Sequence, residues 1–226
     1  MKKYKNQIKT GIKGIILICL FLESSIIQIF FKELLHIKKV TVKNATFLNF
    51  LSSLVFGIFL IIIYRKDLKK EWNTFKSNLS NNLDIGIKYW LIGLFFMMSS
   101  NILINVIWNS GAATNEQAVQ KMITSLPLVM LLNAGVLAPL NEEILFRKCF
   151  RDTFKNNIIF ILTSGIFFGF LHVSTATTLS QFIYIVPYSC LGISFAIMYV
   201  KTKSVFTSMT MHMAHNSILT ILSILV

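Results

Sequence analysis

"NEEILFR", residues Asn141 to Arg147, follows directly on "LPLVMLLNAGVLAPL", residues 126 to 140, and the junction of the two decides what kind of chain this is. The apolar run is what a membrane-crossing helix requires, since about 20 residues are needed to cover a hydrocarbon core of about 30 Å. Two adjacent carboxylates and a guanidinium at the end of such a run are costly, roughly 2.5 to 3.5 kcal/mol each on insertion scales. Groups of that kind face a bundle interior or water, and they have a task there.

The rest of the chain repeats the apolar theme. It has 226 residues, 54% of them hydrophobic, a mean hydropathy of +0.67, and only 14% charged residues, against roughly 25% in soluble domains. Seven apolar stretches are evident, at residues 14 to 31, 46 to 64, 87 to 108, 122 to 146, 158 to 172, 179 to 200 and 205 to 226. Their lengths, and the lack of alternating polar and apolar residues, exclude a β-barrel. The expectation is an all-α, polytopic membrane bundle of about seven helices. The first stretch follows a lysine-rich start, yet it has no small-residue cleavage site and is interrupted by Glu23, so it reads as a retained helix and not a signal peptide.

The net charge of +13 does not point to nucleic acid, because no aromatic and basic platform or recognition motif accompanies it. Lys and Arg cluster instead between the apolar stretches, at 2 to 13, 32 to 43, 65 to 76, 147 to 155 and 201 to 203, where anionic lipid headgroups and the positive-inside rule favour them. That rule puts 65 to 84, the longest polar connection, in the cytoplasm. It puts 109 to 121 outside, 147 to 155 inside, 173 to 178 outside and 201 to 203 inside, with a cytoplasmic N-terminus. The basic 32 to 43 connection then falls outside, against the rule. Cys19, Cys149 and Cys190 are widely spaced and form no C-x-x-C pair, so they read as packing residues. No internal repeat is visible, and the chain reads as one membrane domain over 1–226, with motifs confined to 122–226 and generic helices and basic loops over 1–121.

The chemistry-bearing residues are few. On a helix Glu143 and Arg147 are four apart and share a face, in the favourable order of acid before base, while Glu142 points about 100° away. Either all three cap the helix at the cytoplasmic surface, or Glu143 and Arg147 neutralise each other and leave Glu142 to face a cavity. Phe168 and His172 share a face in "FFGFLH", and so do His212 and Asn216 in "HMAHN". A tight turn near Asn156 and Asn157 brings Glu142 and His172 to similar depth on antiparallel helices. A carboxylate, two imidazoles and an amide are the parts a peptide-bond hydrolase needs. Glu142 can take a proton from water that His172 holds, and His212 and Asn216 can donate to the oxyanion. His215, about 60° from His212 on the helix, reads as a packing residue, and His36, beside Lys38 and Lys39, as interfacial.

At these residues the chain resembles the CPBP family, which comprises the CAAX prenyl endopeptidases and the bacterial bacteriocin-processing or immunity proteins also called Abi. The family pattern E-E-x-x-x-R, then F-x-x-x-H, then H-x-x-x-N is met by Glu142-Glu143 to Arg147, Phe168 to His172, and His212 to Asn216. The resemblance implies an intramembrane endopeptidase whose cavity opens towards the cytoplasm, with Glu142 and His172 activating water and His212 and Asn216 stabilising the oxyanion. It also leaves a zinc alternative in which Glu142, His172 and His212 are the ligands. The metal-free version explains the Asn at i+4 better. The substrate is then a small peptide precursor or membrane-associated segment near the cytoplasmic face, and Lys, Asn and Ile richness hints at a bacterial plasma membrane.

Other chemistries are poorly served. There is no H-E-x-x-H, Asp67, Asp84 and Asp152 lie outside the apolar stretches, and Ser194 with His212 lacks the glycine-rich context of a serine dyad. A non-enzymatic immunity or scaffold protein is the alternative from another class. A proton-coupled transporter would call for repeats or paired broken helices.

Overall fold

The structure, a computed structural model, describes residues 2–109 and 111–226, with side chains from Thr10 onward. The lysine cluster at 2 to 9 therefore contributes backbone only. Among the described residues nine helical segments carry the architecture: α1 (Lys2–Leu22), α2 (Ser25–Leu34), α3 (Val42–Ser77), α4 (Leu79–Trp108), α5 (Thr114–Ser125), α6 (Pro127–Thr153), α7 (Asn157–His172), α8 (Leu179–Thr202) and α9 (Val205–Leu225). No strand occurs among the described residues, and the chain is a polytopic helical bundle.

All seven apolar stretches are helical, but not all span alike. Four helices, α3, α4, α6 and α8, are long and apolar enough to cross a membrane, and α1 with α2 makes a fifth only as a pair bent by 47°. The bend falls at Glu23 and Ser24, where the exposed carboxylate interrupts the apolar run. Helix α7 is shorter, at 16 residues, and α9 carries the polar histidine motif. The count of seven full spans is thus not reached.

Several expected loops are helix. Residues 65 to 84 are not a long connection, because α3 runs on to Ser77 and α4 starts at Leu79. Lys, Arg and Glu are good helix formers, and the Asn82 side chain ties the turn by donating to the Phe75 carbonyl at 3.0 Å. Helix α6 likewise continues to Thr153, so Arg147 and Lys148 are not loop cations but buried groups, 0% and 7% exposed. Part of the expected 109 to 121 loop is α5. The α6–α7 turn does fall where the asparagines suggested, and Asn156 caps α7 by accepting from Ile158 N at 2.9 Å and Ile159 N at 3.1 Å.

Interhelix contacts define the two ends of the bundle. At one end Glu71 of α3, Lys148 of α6, Tyr199 of α8 and Ser204 meet in one buried network. At the other, Thr46 of α3 meets Ser125 of α5 at 3.0 Å, Thr114 N donates to Gln181 Oε1 at 2.8 Å, and the Tyr184 hydroxyl donates to the Gly111 carbonyl. The first end carries the basic segments, and the second carries 109–125 and 173–184. The α7–α8 seam is the tightest. A Cβ on Gly165 would sit 2.7 Å from Ile193 N, and one on Gly169 2.7 Å from the Ile185 carbonyl, so small residues let the two backbones close up as membrane helices do.

Candidate active site

The α6 segment that opened the sequence reading is not a plain α-helix. It makes π-helical turns at Asn133–Leu137 and Ile144–Cys149, flanking the α-helical Ala138–Glu143. Pro139 explains the first. It has no N–H to give, and the carbonyls that N–H would reach in π or α register are those of Ala134 and Gly135. Both are taken by α9: Asn216 Nδ2 donates to Ala134 O at 3.0 Å, and Ser217 Oγ to Gly135 O at 3.4 Å.

Adjacent glutamates then meet different fates. Glu143 is 0% exposed and accepts from Arg147 Nε at 3.0 Å and Nη2 at 3.1 Å, a two-pronged ion pair. The third guanidinium nitrogen, Nη1, donates to Ser164 Oγ of α7, which passes its own proton to the Phe146 carbonyl at 2.9 Å. The ion pair is therefore not a surface cap. Glu142 turns the other way, onto the wall of a cavity of about 1040 Å³, and its Oε2 is buried with no hydrogen-bond partner among the described residues.

His212 joins the two carboxylates. Its Nδ1 lies 3.1 Å from Glu143 Oε1, and its Nε2 lies 3.8 Å from Glu142 Oε2. Because a carboxylate paired with arginine only accepts, Nδ1 carries the proton and Nε2 is left to face Glu142. Phe195 stacks on the ring at 4.7 Å and Phe168 meets it edge-on at 5.5 Å. His172 is fixed in a parallel way: Nδ1 lies 2.8 Å from the Phe168 carbonyl, which only accepts, so Nδ1 carries a proton and Nε2 is left to the cavity. Phe168 and Tyr188 sandwich that ring at 4.6 and 4.5 Å.

Glu142, Phe168, His172, His212 and Asn216 all line this one cavity, whereas Glu143 and Arg147 stand behind it. The sequence-derived groups on three helices thus share a wall. His215 is buried and accepts from Trp90 Nε1 at 3.4 Å, a packing arrangement, although its ring also reaches the cavity. Sequence reasoning missed Ser164, Tyr188 and the Glu71–Lys148 pair. Ser164 and Tyr188 carry no local signal, since each matters only through a contact across helices.

The zinc alternative was tested on the same geometry. Among the described residues no three His, Cys, Asp or Glu side chains are grouped to hold a metal ion; the His212 Nδ1 contact to Glu143 does not itself bear on this, since it leaves Nε2 open. The set Glu142, His172 and His212 does not fit a metal in this conformation.

The cavity lies towards one end of the bundle. It is walled near its mouth by exposed Gly111, Ala112, Gln120 and Leu222, and no residue from the Glu71–Lys148 end lines it. An opening to the cytoplasm and a 109 to 121 segment outside the cell, both expected from the sequence, are thus mutually exclusive.

Residues 124–218 match the family described as type II CAAX prenyl endopeptidase Rce1-like. A Bacillus subtilis protein named "Putative membrane peptidase YdiL" is 24% identical over 185 residues, covering 78% of this chain and 70% of its own. The UPF0177 protein YxdF of Lactococcus lactis is 25% identical over 145 residues, covering 62% of this chain and 78% of its own. No solved structure matches the chain. The matched residues hold all three motifs, and over that stretch this integral membrane protein is similar to the Rce1-like, CAAX-type peptidase family.

Proposed function

We propose that the chain hydrolyses a peptide bond without a metal, at water held between Glu142 and His172. The observation that carries this reading is Glu142 Oε2, a buried carboxylate oxygen on the cavity wall with no partner among the described residues. His172 accepts one water proton at Nε2 and orients the oxygen. Glu142 takes the other as the oxygen attacks the carbonyl, and later delivers it to the leaving amine.

His212 and Asn216 then serve the oxyanion. With Nδ1–H spent on Glu143, the ring must be imidazolium to donate from Nε2 as well. Glu143 is in this scheme a positioning residue, and Arg147 holds Glu143. Asn216 has a second amide hydrogen beyond the one given to Ala134, and that one supplies the other oxyanion contact. That no three His, Cys, Asp or Glu side chains are grouped for a metal among the described residues supports the metal-free version, as does the Asn four residues after His212, which serves better as an oxyanion donor than as a ligand.

The substrate is a small peptide precursor or a membrane-associated segment, in a bacterial plasma membrane. Purified chain in detergent, assayed on candidate peptides beside Glu142→Gln, His172→Ala and His212→Ala, tests the scheme. Loss of turnover in all three is expected, and unchanged turnover in all three removes the mechanism. Activity surviving strong chelation, with no stoichiometric zinc by elemental analysis, is expected; activity lost to chelation and restored by zinc overturns the metal-free form.

A further inference from the structure

We propose that the cavity is loaded from the membrane face opposite the basic one, the extracytoplasmic face under the positive-inside rule, and that it takes an extended peptide segment exposed there. The word substrate rests on the peptidase reading above; the side of access does not.

Three observations carry it. The lining of the cavity runs from Glu142 and His212 at mid-bundle outward along α9 to Ser223 and Val226, along α4 from Met97 to Asn105, and onto α5. Every wall helix therefore contributes its half towards the 109–125 end. On α3 the lining stops at Phe56, short of the basic run that starts at Arg65.

The opposite end is closed in depth. Behind Glu142 stand the fully buried Glu143–Arg147 pair and the side chains of Tyr64, Phe146, Phe160 and Phe195, each 1% exposed or less. Behind those, Glu71 accepts from Lys148 Nζ at 2.6 Å, from the Tyr199 hydroxyl at 3.2 Å and from Val205 N at 2.9 Å. A peptide entering from that end would have to break a buried ion pair and an aromatic layer.

Charge then assigns the faces. Of 22 Lys and Arg, only Lys32, Lys38, Lys39, Lys43 and Lys121 belong to the open end or to the segments that reach it. From Lys13 onward the remainder lie on the closed side or on the way to it, the asymmetry that retains that side in the cytoplasm. The open end also suits a peptide backbone. Asn49, Asn101, Asn105, Asn115 and Asn133 line the cavity, and carboxamides offer paired donors and acceptors without charge. An extended, uncharged stretch of peptide is what such a wall would hold.

The experiment is labelling of intact cells with a membrane-impermeant maleimide. The background carries Cys19→Ala and Cys190→Ala and keeps the buried Cys149, and it should itself remain unlabelled. Into it go, singly, Gln120→Cys at the cavity mouth, Asn101→Cys on the cavity wall, and Lys70→Cys on the closed face; Gln120 and Lys70 are exposed, and none is a catalytic residue of the proposed scheme. Labelling at 120 and, more slowly, at 101 in intact cells, with 70 labelled only after permeabilisation, is expected. Labelling at 70 before permeabilisation, or at 120 only after it, overturns the proposal. Labelling at 120 but none at 101 from the same side also overturns it, because the mouth would then not lead into the cavity. The readout needs no turnover, so an inactive protein leaves it standing, and a reversed orientation leaves the Glu142→Gln comparison standing.

Discussion

His212 Nε2 lies 3.8 Å from Glu142 Oε2 while the other ring nitrogen is held 3.1 Å from Glu143 Oε1, so one imidazole bridges two consecutive carboxylates. A Gln at 142 keeps the shape but cannot take a proton. Turnover of Glu142→Gln should fall by about 10²–10⁴-fold, the range general-base removal produces. Since Glu142 Oε2 has no hydrogen-bond partner and faces His212 Nε2 only at 3.8 Å, thermal unfolding in detergent should move little. A lowered melting temperature together with retained turnover would show that the carboxylate is structural.

The Glu143–Arg147 pair behaves in the opposite way. Both side chains are fully buried, so removing one strands a charge, at roughly 3–5 kcal/mol. Arg147→Leu alone should lose most of the folded protein, whereas Glu143→Leu with Arg147→Leu should recover much of the stability. Turnover should stay low in the double variant, because His212 loses the partner that fixes Nδ1. Equal stability of the single and double variants, measured by unfolding in detergent, would refute the coupling.

Asn216 has two tasks, and Pro139 separates them. Asn216→Ala leaves the Ala134 carbonyl unpaired, a loss of about 1–3 kcal/mol, and removes an oxyanion donor, worth about 10²–10³-fold in turnover. Adding Pro139→Ala restores a backbone N–H that can reach Ala134 or Gly135 in π or α register. Stability should recover in the double variant and turnover should not. If both recover together, the effect of Asn216 on rate is indirect.

The difference between the two glutamates was legible because helical geometry alone separates adjacent side chains by about 100°, and the four-residue spacings put His172 on Phe168 and Asn216 beside His212. What stayed hidden was tertiary. The π turns of α6 depend on α9 supplying Asn216 and Ser217 to free carbonyls, which no local pattern announces. Lys148 and Glu71 read as ordinary loop charges, because their burial comes from four segments closing over them. The side of access is also a tertiary matter: the family resemblance implied a cytoplasmic opening, and the lining residues taken with the charge rule favour the other face.

Glu71 offers a test of stability apart from catalysis. Its carboxylate holds Lys148, the Tyr199 hydroxyl and the first N–H of α9, where the helix dipole also favours an anion. None of these groups lines the cavity. Glu71→Gln should therefore lower stability by several kcal/mol, consistent with an uncompensated buried ammonium, while turnover per folded molecule stays at the wild-type level. Tyr199→Phe removes one hydrogen bond to a charged group and should cost about 1.5–3 kcal/mol. Because the pair is shielded from solvent, raising the salt concentration should not reproduce either effect. Unfolding curves at low and high salt, with turnover normalised to folded protein, check all three expectations; a rate loss in Glu71→Gln at full folding would mean that the closed end communicates with the site.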